Sequence, residues 1–150
     1  VLPRPATAVV YELTPYGREL EPILHALGGW GLKSLHEPRP GDIINADSLA
    51  LALHGAFQPA AAKRNPGRYE LHVQDTIVHA YVARGALQVG FGPTQNPELT
   101  LETDLTIRAL LAGEVLPQVA VREGQLRLAG KRSLLKPFFE VFQLPSYSIP

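Results

Sequence analysis

The amino-acid sequence lacks cysteine, an excess of either charge and long apolar runs, and each absence excludes a class of protein. Without cysteine, the 150 residues form no disulfide framework, no thiolate nucleophile and no zinc site with Cys ligands. The 14 basic and 14 acidic residues cancel, so the whole chain has no electrostatic signature for nucleic acid. No apolar run approaches the ~20 residues of a membrane-spanning helix, and no basic start precedes an apolar secretory core. These absences favour a cytoplasmic protein with no membrane partner.

Proline and glycine mark the point where the chain divides. The composition, with 45% hydrophobic and 19% charged residues, is typical of a globular protein. Pro38, Pro40 and Gly41 do not continue a regular helix without cost, which predicts a linker over 36–46. We therefore predict an N-terminal segment 1–35, a larger domain 47–144 and a tail 145–150.

The N-terminal segment has the pattern of a strand followed by a helix. Residues 8–13 form a β-branched and aromatic run, which favours a strand. Thr14 is suited to cap a helix, and Pro15 to its first position. Gly28 and Gly29 indicate that this helix ends or weakens there. Its apolar residues recur at helical spacing: Leu20, Ile23, Leu24, Leu27 and Trp30.

One strand and one amphipathic helix do not bury the apolar face of that helix. The segment must therefore pack on the larger domain, on a second copy of the chain or on a partner outside it. We expect a homodimer, formed through Leu20, Ile23, Leu24 and Leu27.

Residues 4–31 carry a motif that is specific to one family. The stretch resembles the end of an HxlR-type winged-helix transcriptional regulator, with its returning wing strand, its Y-x-L-T-x-x-G join and its last helix running to W-G. The matching residues are Tyr11, Leu13, Thr14, Gly17, Leu20, Trp30 and Gly31. The resemblance implies that the protein binds DNA through an upstream helix-turn-helix absent from this sequence, and that Arg4 lies beside the wing and contacts a phosphate. The alternative is a strand and helix that only pad the larger domain.

The start of the chain is compatible with such an upstream domain. The sequence begins at Val1 and has no methionine, as expected for a piece of a longer protein or for a processed N-terminus.

Residues 47–144 have the pattern of an α+β domain. Three alternating runs, 69–74, 76–83 and 86–91, follow one another through tight joins, so they predict an antiparallel meander. Further strands are expected at 99–103 and 125–129. Helices are expected from Asp47 or Ser48 to Ala56, at 105–112 after an Asp104 cap, around 117–121 and at 133–142, with a loop at 59–67. The predicted fold is a five-stranded, mostly antiparallel sheet packed against helices.

The order of motifs in this domain resembles the sterol carrier protein type-2 lipid-binding fold. The resemblance lies in three stretches and a final apolar helix: Leu99-Thr-Leu-Glu-Thr-Asp104, Leu110-Leu-Ala-Gly-Glu114 and Gly124-Gln-Leu-Arg-Leu-Ala-Gly130. It implies a cavity between sheet and helices for an apolar or fatty-acyl-like small molecule.

The side chains expected to line that cavity come from the inward faces of the strands and from the helices. They are Phe57, Leu71, Val73, Val78, Val82, Leu87, Val89, Phe91, Leu135, Phe138, Phe139 and Phe142. The alternative is that the same side chains fill a solid core.

The sequence contains no recognisable catalytic motif. The five histidines lack metal-ligand spacing, Ser48 and Ser133 stand at capping positions, and no glycine-rich turn forms a phosphate cradle. His72 and His79 lie on neighbouring predicted strands and could face each other, as a structural pair. We expect no catalytic residue, no metal and no cofactor.

A local excess of positive charge lies between residues 122 and 136, although the chain as a whole is neutral. Lys131 or Arg132 could flank the mouth of a pocket and meet the carboxylate of an amphipathic ligand. The alternative is a solvated face.

Three functions are compatible with these patterns. The preferred one is the effector-binding part of a transcriptional regulator that senses an apolar or amphipathic small molecule. The alternative is a stand-alone lipid or acyl-chain carrier. An enzyme using the same cavity would need a buried titratable pair, which the sequence does not indicate.

Overall fold

The structure is a computed structural model that describes residues 12–32, 39 and 41–144 of the chain. Its strands are β1 (Gly67–Val73), β2 (Thr76–Ala83), β3 (Ala86–Phe91), β4 (Leu99–Thr103) and β5 (Leu126–Gly130). Its helices are α1 (Pro15–Arg18), α2 (Glu21–Leu32), α3 (Ala46–Ala56), α4 (Pro59–Ala62), α5 (Thr106–Leu111), α6 (Pro117–Arg122) and α7 (Leu135–Val141). A 3-10 turn, Arg132–Leu134, precedes α7.

The strands form one five-stranded sheet in the order β3-β2-β1-β4-β5. Its pairs are antiparallel except for β1 and β4, which run parallel. The hairpins between the first three strands have two-residue turns, where Gln74, Arg84 and Gly85 have positive φ angles of 54°, 52° and 77°. Such turns match the right-handed twist of the strands. The predicted fold class and the antiparallel meander are therefore confirmed.

Alternation along the strands places apolar side chains on one face of the sheet, which we call the inner face. Tyr69, Leu71 and Val73 of β1 are fully buried there. The helices supply further members of the same core, among them Leu49 and Leu53 of α3, Ile107 and Leu110 of α5, and Phe138 and Val141 of α7. The core thus lies between the inner face and these helices.

Polar side chains fix the starts of the helices. Thr14 Oγ1 accepts a hydrogen bond from the Gly17 N–H at 3.1 Å, as the predicted cap requires. Asp104 Oδ1 likewise accepts from the Thr106 N–H at 2.8 Å. The predicted cap of α3 at Asp47 or Ser48 is wrong. Asn45 caps that helix instead, because its Oδ1 accepts from the Ser48 N–H at 2.8 Å.

The predicted N-terminal helix is divided, and its division is not at the glycines. Pro22 has no N–H to donate to Arg18, which separates α1 from α2. Gly28 lies inside α2 because α3 approaches it closely: a Cβ there would lie 2.4 Å from Leu51 Cδ1. The expectation that the helix ends at Gly28 is therefore wrong, since α2 continues to Leu32.

Other predicted boundaries need smaller corrections. The expected loop 59–67 contains the short helix α4, and Pro59 is its first residue. Strand β1 begins earlier than expected because Gly67 still pairs with Val82. The expected helix 133–142 is a 3-10 turn followed by α7.

Helix α2 packs on α3, and one of its faces is left open. The rings of His25 and His54 stack between the two helices with centroids 3.9 Å apart. The four side chains expected at a dimer interface are 52–61% exposed: Leu20, Ile23, Leu24 and Leu27. We call these four the α2 stripe.

Some predictions fall where the structure describes nothing. Arg4, most of the predicted strand 8–13 and part of the linker 36–46 lie outside the described residues. Within the described part, no helix is both long and apolar enough to span a membrane.

Candidate ligand-binding site

The structure brings the predicted cavity residues together in one apolar layer between the sheet and the helices. They differ in how deeply they are buried. Six are fully buried: Leu71, Val73, Val78, Val82, Phe138 and Phe142. Five are partly buried against that core: Phe57, Leu87, Val89, Leu135 and Phe139. Phe91 is 61% exposed. The layer therefore runs from the core of the domain to its surface.

The surface end of this layer is the edge strand β3. Its residues Leu87, Val89 and Phe91 stand opposite Val82, Ala80 and Val78 of β2, so all six lie on the inner face. Exposure rises along this register, since Val78 is fully buried and its partner Phe91 is largely exposed. A continuous apolar surface thus connects solvent with the core at β3.

Aromatic rings dominate the deep end of the layer. Phe138 lies at the centre, with ring centroids 5.0 Å from Tyr69, 5.0 Å from Phe139 and 4.8 Å from Phe142. Phe57 reaches the same cluster, 6.1 Å from Phe142. These edge-to-face and tilted contacts hold the end of α7 against the sheet.

Tyr69 brings a polar atom into this apolar cluster. The side chain is fully buried, and its hydroxyl has no hydrogen-bond partner among the described residues. Burial, and then the charge of Glu98, raise the pKa of Tyr69 to about 12. The sequence places Tyr69 on the inner face by alternation with Leu71 and Val73, but no local pattern shows that its hydroxyl is unpaired.

A surface cavity of about 550 Å³ lies at the end of the sheet next to Tyr69. It is lined by Pro66, Gly67, Arg68, Tyr81, Val82, Ala83 and Glu98. Gly67 contacts both the cavity and Tyr69, because a Cβ built on Gly67 would lie 2.6 Å from the Tyr69 hydroxyl. The Tyr69 ring and hydroxyl therefore pack directly over the Gly67 backbone, in the space that a side chain at Gly67 would take.

Charged groups surround this cavity. The Glu98 carboxylate accepts a hydrogen bond from Lys131 Nζ at 2.9 Å and lies 3.9 Å from the Arg68 guanidinium. The bond from Lys131 lowers the pKa of Glu98, and burial opposes that effect. Lys131, expected at a pocket mouth, does not line this cavity but bonds to Glu98, which does. Arg132 is exposed at the start of the 3-10 turn.

The opposite face of the sheet, which we call the outer face, carries a polar cluster that the sequence did not reveal. Glu70 is only 7% exposed, and it is the one buried charged residue in the described part of the chain. Its carboxylate contacts His72 Nε2 at 2.6 Å and accepts from the Thr94 N–H at 2.7 Å. Burial raises the pKa of Glu70, but the bonds from His72 and Thr94 outweigh it, so the pKa lies below its usual value.

His72 and His79 are not a facing pair. Across the strands, His79 stands opposite Glu70, and His72 stands opposite Ile77. His79 Nδ1 is 2.9 Å from the Gly92 carbonyl oxygen. Two more hydrogen bonds hold the same segment: the Thr94 N–H donates to Glu70, and the Glu98 N–H donates to the Arg68 carbonyl oxygen at 2.8 Å. These contacts hold residues 92–98 across the outer face.

The described residues contain no group of three or more His, Asp or Glu side chains arranged to hold a metal ion. The bonds of Glu70 and His79 hold the crossover from β3 to β4.

Comparison with known proteins gives matches in fold rather than in sequence. No protein-family model matches the chain, and no curated protein matches it. The sec-alkylsulfatase Pisa1 from Pseudomonas sp. matches with a TM-score of 0.61 and 17% identity, over 70% of this chain and 17% of that one. Sterol carrier protein 2 from Yarrowia lipolytica matches with a TM-score of 0.46 and 12% identity, over 88% of this chain and 96% of that one. Sterol carrier protein 2 like 2 from Aedes aegypti has a TM-score of 0.43 and 15% identity, over 83% and 98%.

These matches define what the chain is similar to. The alkylsulfatase match shows a shared fold, and this chain spans only about a sixth of that enzyme's length. Sterol carrier protein 2 structures are among the similar ones. These comparisons give no support to the winged-helix resemblance of residues 4–31.

Proposed function

We propose that this chain binds an apolar or amphipathic small molecule, such as a lipid or a fatty-acyl chain, on the inner face of its sheet. The observation that carries the proposal is the apolar layer that reaches solvent at β3. An exposed Phe91 opposite a fully buried Val78 gives an apolar chain a path from water to the core. Pockets for such ligands are lined mainly by apolar and aromatic side chains with few polar groups.

We propose binding rather than catalysis at this layer. The buried charged residue of the described part, Glu70, lies on the outer face, away from the apolar layer. The titratable group inside the layer is Tyr69, whose hydroxyl has no hydrogen-bond partner among the described residues. A general acid–base pair within reach of an inner-face ligand is therefore missing from the described residues. This reasoning supports a lipid or acyl-chain carrier.

The first test is direct. Native mass spectrometry of the purified chain, followed by lipid extraction, reports any host molecule retained on the inner face. A fluorescent fatty acid then gives the affinity. Failure of the chain to retain or bind any apolar molecule would overturn the proposal.

A matched pair of substitutions locates the binding surface. Phe91→Glu places a charge at the solvent end of the apolar layer, whereas Gln88→Glu places the same charge on the same strand but on the outer face. Both side chains are exposed, so both variants are expected to fold. We expect the first to weaken fatty-acid binding by about tenfold and the second to leave it unchanged, since a buried or contacting charge disfavours an apolar chain. Equal affinities in both variants would place the site elsewhere.

A second candidate is a ligand-sensing transcriptional regulator. Two observations favour it: Thr14 caps α1 where the winged-helix resemblance requires, and α2 leaves an apolar stripe exposed while packing on α3. In this case the α2 stripe forms a homodimer, DNA is bound by an upstream helix-turn-helix with Arg4 near a phosphate, and the protein is cytoplasmic. Because α3 covers the inner face and contacts α2, a ligand that moves α3 also moves the dimer helix.

The two candidates differ in what lies upstream in the gene. An open reading frame that continues for ~60 residues with helix-turn-helix signals, the usual size of that module, would support the regulator. An initiation codon directly before Val1 would support the carrier.

A further inference from the structure

We propose that the Tyr69 hydroxyl anchors the polar end of the bound molecule by donating a hydrogen bond to a carbonyl oxygen, of an ester or of a carboxylate. This inference deepens the proposed function and rests on it. It assigns the polar end of the ligand to the end of the sheet where Gly67 and the cavity lie, and the apolar chain to the inner face.

The unpaired state of the hydroxyl carries the inference. Most buried side-chain polar atoms in proteins have a hydrogen-bond partner, because an unsatisfied one bears its full desolvation cost. Tyr69 is fully buried with no described partner, and it contacts the rings of Phe138 and Phe142. A phenylalanine would fill the same apolar space without that cost. The hydroxyl therefore has the properties of a group whose partner arrives with the ligand.

The surroundings determine which partner fits. The hydroxyl keeps its proton at all ordinary pH values, since its pKa is raised to about 12. The neutral phenol has one O–H to donate, and a carbonyl oxygen is an acceptor that can take that bond. The hydroxyl packs over Gly67, and Gly67 itself lines the cavity at the end of the sheet.

The charges at the rim admit both a neutral and an anionic acceptor. Glu98 alone would repel a carboxylate, but Lys131 and Arg68 both lie against it and leave the group with one net positive charge. An ester carbonyl and a carboxylate each offer an oxygen that accepts a hydrogen bond from a phenol. The experiment therefore uses both, together with a hydrocarbon that has neither.

The test compares three probes on three proteins. Palmitate, methyl palmitate and hexadecane are titrated by displacement of a fluorescent apolar dye from the wild type, from Tyr69→Phe and from Tyr16→Phe. Tyr16 is the matched control, because it is 80% exposed and lies on α1, a helix with no buried residue. We expect Tyr69→Phe to weaken palmitate and methyl palmitate about fivefold, as for loss of one neutral hydrogen bond, and to leave hexadecane unchanged. Tyr16→Phe should change none of the three.

The outcomes separate this inference from the proposed function. If the wild type binds none of the probes, the proposed function fails and the inference with it. If the wild type binds them and Tyr69→Phe changes nothing, or weakens hexadecane equally, the anchor is wrong while binding stands.

A second measurement can be decided on the wild-type protein alone. The infrared stretch of a carbon-13-labelled methyl palmitate carbonyl should move to lower frequency in the wild-type complex than in dry alkane, and should keep its alkane value in Tyr69→Phe. An alkane-like frequency in the wild type would overturn the anchor even if the Phe variant failed to fold.

Discussion

The side chain of Glu70 accepts a hydrogen bond from the backbone N–H of Thr94 across 2.7 Å. This bond joins the central strand β1 to residues 92–98, which run over the outer face from β3 to β4. Strands β3 and β4 point the same way, so their connection must cross the sheet. Residues 92–98 contain no helix, and the bond to Glu70 holds this connection against the sheet.

Acid should weaken the fold through Glu70. The pKa of Glu70 lies below its usual value of 4.5, so the unfolded chain binds more protons than the folded one as the pH falls below that value. The stability that Glu70 contributes is present above its unfolded pKa and is lost as the pH falls through its folded pKa. Urea unfolding between about pH 6 and about pH 3 should therefore show a shallower loss of unfolding free energy in Glu70→Gln than in the wild type.

A control for this pH series is Glu102→Gln. Glu102 is 55% exposed and pairs with Arg127 at 3.0 Å, and exposed ion pairs contribute little. Its variant should follow the wild-type curve. Identical pH curves for Glu70→Gln and the wild type would contradict the role given to Glu70.

Two neighbouring phenylalanines on α7 should differ in their effect on stability. Phe138 is fully buried between Tyr69 and Phe142, whereas Phe139 is partly buried beside it. Phe138→Ala should lower the unfolding free energy by about 3–5 kcal/mol, the usual cost of such a cavity. Phe139→Ala should cost less and should instead change fatty-acid affinity. Chemical denaturation of both variants measures the difference, and equal losses would mean that both rings belong to a solid core.

Gly130 at the end of β5 should tolerate no side chain. Its φ is 94°, and a Cβ there would lie 2.5 Å from the Glu98 carbonyl oxygen. Gly124 has a similar φ of 75° with open space around it, which makes it the matched control. Gly124→Ala should cost about 1–2 kcal/mol from backbone strain alone. Gly130→Ala should cost more, because the backbone at Glu98, directly before β4, must also move. Thermal melts showing the reverse order would refute this account.

The α2 stripe should govern self-association. If the stripe forms a homodimer, Leu24→Asp should convert it to a monomer, because a charge at the centre of an apolar interface is costly. Ile43→Asp, at an apolar residue that is 88% exposed and outside α2, should leave the dimer intact. Size-exclusion chromatography with light scattering gives the masses. A wild-type chain that is already monomeric would end the dimer proposal.

The sequence predicted the features that depend on local chemistry. Alternation with a period of two residues placed Tyr69, Leu71 and Val73 on one face, and the structure buries all three there. The tight turn at Arg84 and Gly85 was predictable because only these two residues separate two alternating runs and Gly85 adopts a positive φ readily. These features involve residues close together in the chain.

The features that sequence reasoning missed depend on residues far apart. Glu70 looks like an ordinary polar residue on an alternating strand until Thr94, from 24 positions later, covers it. The unpaired Tyr69 hydroxyl is equally invisible in the sequence, since only the packing of α7 shows that no described group reaches it.

One missed feature did have a local signal. Pro22 marks the division between α1 and α2, but the helical spacing of the apolar residues outweighed it in the prediction.

The position of β1 in the middle of the sheet has a consequence for how the chain folds. Strands β1 to β3 are joined by two-residue turns, so this half can form from contacts between near neighbours, whereas the parallel pairing of Tyr69 with Leu99 closes a loop of 30 residues. Contacts that close long loops form late, because the entropy of closure is lost before the pairing is gained. We expect the first hairpins to gain amide protection earlier in refolding than β4 and β5, as measured by pulsed hydrogen exchange. The seam between β1 and β4 would then be the last part of the sheet to close.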